Sequence, residues 1–159
     1  MKVDVKTNAM RILDKLKIKH KTYSYADTDA ISGVEIAAAL GQDPAHVFKT
    51  LVTVGKSKKY YVFMIPVAAE LDLKKAAHSV GEKAVEMIKQ KELFPLTGYV
   101  HGGCSPIGMK KVFTTRIHET AGAFDSVVFS AGKIGYQIET PLADLQKAVE
   151  LEMADLVKA

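Results

Sequence analysis

Apolar residues follow two rhythms along this chain, a helical one of about 3.6 residues and a strand-like one of about two. The switches between them mark its elements. Ala9, Ile12, Leu13 and Leu16 recur at helical spacing and predict a helix over residues 8–16, with Thr7 or Asn8 as its cap. Residues 21–25 read as a short strand. Ser32 followed by Glu35 is a capping-box pattern that opens a helix running through residues 36–40, which Gly41 ends. After a turn at Asp43-Pro44, residues 47–54 and 60–66 read as strands joined through Gly55-Lys56-Ser57-Lys58. The second is apolar on both faces, which predicts a central strand covered on both sides.

Helical spacing returns over residues 71–78, with Asp72 near the start, and continues over 82–91, as one helix or two brief ones. Short strands follow at 97–100, 112–117, 126–130 and 135–139, separated by glycine-bearing turns. Pro141 stands at the first position of a last helix, residues 142–149, with Thr140 as its cap. Strands outnumber helices and adjoin one another without alternating helical crossovers. The expected class is therefore α/β with a mixed or largely antiparallel sheet curled toward a barrel, not a doubly wound parallel fold. No repeat, low-complexity tract or proline-rich linker divides the sequence, so residues 1–159 read as one domain.

Composition removes several function classes. The hydrophobic fraction of 48% and charged fraction of 25% are those of an ordinary globular chain. The first 17 residues mix charges with apolar positions and lack the continuous apolar core of a signal peptide. No run is long enough to span a bilayer. The lone Cys104 excludes an intramolecular disulfide framework, and a cytoplasmic location with no membrane partner is expected.

A net charge of +4 favours polyanionic partners without the density of a dedicated nucleic-acid arm. Only two arginines occur, Arg11 and Arg116, so bidentate reading of guanine is not expected. Lysines gather loosely at Lys15, Lys17, Lys19 and Lys21, at Lys56, Lys58 and Lys59, at Lys74 and Lys75, and at Lys110 and Lys111. Each cluster is a solvated face unless folding makes several converge.

Candidate chemistry concentrates in Tyr99-Val100-His101-Gly102-Gly103-Cys104-Ser105-Pro106-Ile107-Gly108-Met109-Lys110-Lys111. Paired glycines permit close approach of backbone to a ligand. Loop amides can donate to a carbonyl or an oxyanion, each such donor being worth roughly 3 kcal/mol where charge develops. A tight glycine turn between two strands fits the same residues, and by count such turns outnumber oxyanion loops. Lys49 interrupts an apolar strand and suits either a cation offered inside a cleft or an edge lysine that discourages aggregation. Cys104 invites a nucleophile's role, but no histidine stands at a spacing that marks a partner. His20, His46, His78, His101 and His118 form no metal-ligand pair, and neither a P-loop nor a dinucleotide fingerprint occurs. Ser130-Ala131-Gly132-Lys133 is a second small-residue loop that reads by itself as a turn.

In order, Val47-Phe48-Lys49-Thr50-Leu51, Pro66-Val67-Ala68 with Glu70-Leu71-Asp72-Leu73-Lys74-Lys75, Thr97-Gly98-Tyr99 through Lys111, and Ser130-Ala131-Gly132-Lys133 resemble the YbaK family. These are free-standing deacylases of mischarged tRNA, similar to the editing domain of bacterial prolyl-tRNA synthetases, and the resemblance covers nearly the whole chain. It implies one α/β domain around a mixed, barrel-like sheet with flanking helices.

It also implies hydrolysis of the aminoacyl ester of mischarged tRNA, Cys-tRNA(Pro) above all, with no cofactor or metal and with prolyl-tRNA synthetase as a partner. Lys49 matches the family's essential lysine, taken to hold the phosphate region of the terminal adenosine. Gly102 matches the head of the loop whose backbone meets the aminoacyl carbonyl, and Gly103, Cys104, Ser105 and Pro106 complete that loop. Tyr23, Thr50, Ser130 and Gly132 match positions around the pocket. Cys104 stands where an aliphatic residue is more usual, and Gln137 where an acidic one is, so both bear on selectivity. The family's mechanism needs no protein base: the substrate's own thiol attacks its ester, and a near-attack geometry contributes about 7–11 kcal/mol. Two other readings remain: a non-catalytic module that binds tRNA or a synthetase, and a thiol hydrolase built on Cys104.

Overall fold

The computed structural model describes residues 5–159; residues 1–4, the head of the segment read as lacking a signal-peptide core, lie outside the described residues. Its helices are α1 (Asn8–Lys15), α2 (Gly33–Ala39), α3 (Leu73–Val80), α4 (Gln90–Thr97) and α5 (Leu142–Ala148). Its strands are β1 (Lys21–Ser24), β2 (Phe48–Gly55), β3 (Tyr60–Pro66), β4 (Val85–Met87), β5 (Thr114–His118), β6 (Val127–Ser130), β7 (Tyr136–Thr140) and β8 (Leu151–Ala154).

The hairpin of β2 and β3 is the centre of a mixed five-stranded sheet, ordered β4-β2-β3-β5-β8, in which β3, β5 and β8 run parallel. A three-stranded antiparallel sheet, β1-β7-β6, stands beside it. One parallel bridge, Val47 to Val128, joins the two at the entrance of β2. The curl toward a barrel is thus partial, and the ring does not close.

The two-faced apolar pattern of β3 has a direct cause. Tyr61, Phe63 and Ile65 pack with Ala76 and Ala77 of α3 and with Leu156. Met64, on the opposite face, joins the main core of Phe48, Ile117, Phe129, Ile138 and Leu145. Each face therefore buries its own apolar set, and the hairpin is fixed rigidly between two cores.

The structure corrects the sequence reading in four places. Residues 82–91 are neither one helix nor two brief ones: Gly81 takes φ 73° and ends α3, and Val85–Met87 pairs with β2. Three residues of edge strand are too short to show a period. Residues 97–100 are not a strand, because α4 continues to Thr97 and Gly98 caps it at φ 85°. Pro95 inside that helix hid it, since proline in a helix interior is normally a breaker. Pro141, not Thr140, occupies the cap of α5, and the buried Thr140 hydroxyl has no partner among the described residues. Finally β8, which sequence reading missed, adds a parallel edge to β5.

Candidate active site

The entrance of β2, where the two sheets meet, borders a cavity of about 240 Å³. Lys49 and Thr50 reach it from β2, Gly102 and Cys104 from the loop after α4, and Ser130 from the end of β6. Five residues singled out from sequence thus converge on one hollow. Tyr23, Gly103, Ser105, Pro106 and Gly132 do not line it.

The two walls differ in how their polar groups are used. On β2, Lys49 is half-buried and has no carboxylate within 4.0 Å among the described residues. Burial lowers its pKa from the ordinary 10.5, and the charge of Glu70 opposes that shift only in part. The hydroxyl of Thr50 is buried and has no partner among the described residues. An orphaned hydroxyl costs about 1–3 kcal/mol, so both groups hold unmet demand that a ligand can satisfy.

Across the cavity the loop is braced by its own bonds. The Gly103 amide donates to Val100 O at 3.0 Å, so it is spent on the turn. The Ile107 amide donates to Ser105 Oγ at 3.2 Å, and the Tyr99 hydroxyl donates to Ile107 O. Ser105 and Pro106 are buried supports behind the cavity wall. The amides of Gly102 and Cys104 take no backbone partner among the described residues, and both residues line the hollow.

The 102–106 loop lies hard against the 130–135 loop. A Cβ on Gly103 would stand 3.0 Å from the Ile134 amide nitrogen. Gly132, at φ 95°, would place a Cβ 2.8 Å from Tyr99 Cε1. These glycines are contact surfaces between loops, which explains why they flank the cavity without lining it.

Cys104 is buried beside Val52, Val62 and Tyr99. Burial pushes its thiol up to about 12, so it is a neutral packing group at physiological pH. Tyr23 has a different surrounding again: its hydroxyl donates to Glu139, which also accepts from the Ser126 hydroxyl. That bond raises the Tyr23 pKa to about 12 and ties β1 to β7.

Tyr25, Phe48, Leu93, His101, Tyr136 and Gln137 also line the cavity. Of these, Gln137 was the one read from the sequence as bearing on selectivity; its amide oxygen accepts from Gln42 Nε2 at 2.9 Å. Tyr25 sits one residue past β1, and strand alternation from Tyr23 was the one signal that could have found it.

The family model for the aminoacyl-tRNA editing domain matches residues 28–148. A protein of Enterococcus faecalis that carries the name of a Cys-tRNA(Pro)/Cys-tRNA(Cys) deacylase, EbsC, is 48% identical over 139 residues, covering 87% of this chain and 85% of that protein. A proline–tRNA ligase of Shouchella clausii is 35% identical over 78 residues, which are 49% of this chain and 14% of the ligase. A crystal structure described as a trans-editing enzyme for prolyl tRNA synthetase superposes with a TM-score of 0.83 at 24% identity, over 98% of this chain and 100% of that one, and so shares the fold. The motifs read from the sequence, the hollow they form and these matches agree: the chain belongs to the aminoacyl-tRNA editing domain family.

Proposed function

We propose that this chain is a trans-editing hydrolase that deacylates mischarged tRNA, Cys-tRNA(Pro) before others, with residues 1–159 forming one editing domain. The observation that carries the reading is one hollow bordered by Lys49, the Thr50 hydroxyl and the amides of Gly102 and Cys104, none of which has a carboxylate or hydrogen-bond partner among the described residues. A cation and hydrogen-bond donors in a partly desolvated cleft suit an ester attached to a polyanion. The name and 48% identity of the Enterococcus relative support the same substrate class.

Lys49 holds the phosphate next to the terminal adenosine. The Gly102 amide donates to the aminoacyl carbonyl and stabilises the oxyanion. The substrate's sulfur attacks its own carbonyl carbon; the C–S bond forms, the ester C–O bond breaks, and the thiol proton passes to the tRNA oxygen. Cysteine leaves as a thiolactone that water then opens. Because attack is intramolecular, the protein's task is to fold the aminoacyl group into position. Cys104, held neutral, takes no part as a nucleophile.

The chain works in the cytoplasm and takes part of its tRNA selectivity from prolyl-tRNA synthetase, a reading supported by the partial likeness to a proline–tRNA ligase. The test is a deacylation panel with Cys-, Ala-, Ser- and Pro-tRNA(Pro), with and without that synthetase. Fastest release from Cys-tRNA(Pro) is expected. Binding of the acylated tRNAs with no release from any would make the chain a binding module instead.

A further inference from the structure

A second hollow lies away from the editing cavity, between α1 and β1. It has a volume of about 640 Å³ and is lined by Lys6, Lys17, Lys19, His20, Thr22 and Asp14, with Val5, Met10 and Ile18 completing it. The lysine cluster that sequence left unresolved therefore converges in part: Lys17 and Lys19 enter one groove together with Lys6. Among the described residues that line it, Asp14 is the one carboxylate, and Lys6 is paired to it at 2.5 Å. Lys17 and Lys19 have no carboxylate within 4.0 Å among the described residues.

The backbone at Lys17 is an independent sign. Helix α1 ends in a Schellman motif, in which the Ile18 amide donates to Leu13 O at 2.9 Å and the Lys17 amide to Asp14 O at 3.0 Å. That motif puts Lys17 at φ 61°, a left-handed conformation that glycine adopts without cost. Where α2, α3 and α4 end, the left-handed residue is a glycine: Gly41, Gly81 and Gly98. Only at the groove does a lysine stand there, against its steric preference.

The groove is also placed usefully. Thr22 lines it and Tyr25 lines the editing cavity, three residues further along extended chain, or about 10 Å. The groove and the cavity thus draw on the same short stretch of chain at β1.

We propose that the groove between α1 and β1 binds the phosphodiester backbone of the substrate RNA close to its acylated end, with Lys17 and Lys19 as the phosphate contacts. This rests on the deacylase reading for the identity of the RNA. Lysine contacts of this kind add affinity without base selectivity and make binding salt-dependent.

The test uses the full chain carrying Lys17→Gly and Lys19→Gln, singly and together, with uncharged tRNA(Pro) transcript as the binding probe between about 50 and 200 mM salt. The double variant is expected to bind about tenfold more weakly, with the slope of log affinity against log salt shallower by about two. Lys17→Gly should leave Tm unchanged or higher, because glycine suits that φ; Lys17→Asn, also tolerant of it, repeats the test should glycine loosen the helix end. Deacylation of 3′-cysteinyl adenosine, which carries no phosphodiester for the groove to hold, should proceed in the double variant at the rate the native chain gives with the same substrate. Unchanged affinity and slope in the double variant would overturn the proposal. A binding loss in a chain that releases no amino acid would leave the groove standing and strike only the deacylase reading.

Discussion

The two walls of the cavity at the head of β2 are built from similar materials and put them to opposite uses. On β2, Lys49 has no carboxylate within 4.0 Å and the Thr50 hydroxyl no hydrogen-bond partner among the described residues. In the facing loop, Tyr99, Gly103 and Ser105 are bonded within the loop itself. One wall carries unmet polar demand; the other is a self-satisfied brace that holds two amides in position. Burial acts on both walls by favouring the neutral form. It lowers the Lys49 pKa and raises that of Cys104, so the residue that looks most reactive in the sequence is the one the fold silences.

The largest effect is expected where the open wall loses its cation. Lys49→Ala should cut deacylation at least about 100-fold, the order seen when a charge-stabilising donor is removed, with an unchanged circular dichroism spectrum. Lys49→Met should unfold at the same temperature or higher, since it removes a charge that folding partly desolvates. The sign follows from linkage: a lysine whose pKa falls on folding destabilises the native state at neutral pH, and that cost fades as pH rises toward 10.5. Substantial activity in the folded alanine variant would erase the distinction between the walls.

The brace should respond through stability first. Gly132→Val forces a side chain into Tyr99 at a left-handed φ, and a loss of about 1–3 kcal/mol is expected in thermal or urea unfolding, with activity falling alongside. Thr50→Val should do the reverse: a drop of about tenfold in kcat/KM with Tm held or raised, because an orphaned hydroxyl is replaced by a methyl group. The smallest effect is expected at Cys104. Iodoacetamide at pH 8 should label it slowly, with no protection by substrate, and stability should begin to fall only above pH 9, where the unfolded thiol ionises and the native one does not.

Much of this division was legible beforehand. The apolar run of β3 announced its place between two cores, and Lys49 was conspicuous because strand alternation surrounds it with apolar neighbours. Capping signals placed α2 and α3 to within a few residues. What stayed hidden depends on contacts distant in sequence. β4 and β8 are edge strands that exist by pairing with β2 and β5, and their short patterns carry no period of their own. The family match drew Tyr23, Gly103, Ser105, Pro106 and Gly132 into the site together with residues that line it, because sequence does not separate a wall from its supports. The convergence of Lys6, Lys17 and Lys19 required the turn at the end of α1.

In the proposed reaction the nucleophile arrives with the substrate, and Lys49 and the loop amides hold it. Its most direct measurement is the rate at which purified, folded Cys104→Ala releases cysteine from Cys-tRNA(Pro), beside the native chain. A rate within about threefold of native is expected, with a stability loss of about 1 kcal/mol from the small cavity. A folded variant that binds the substrate and releases nothing would place the nucleophile on the protein and contradict the claim.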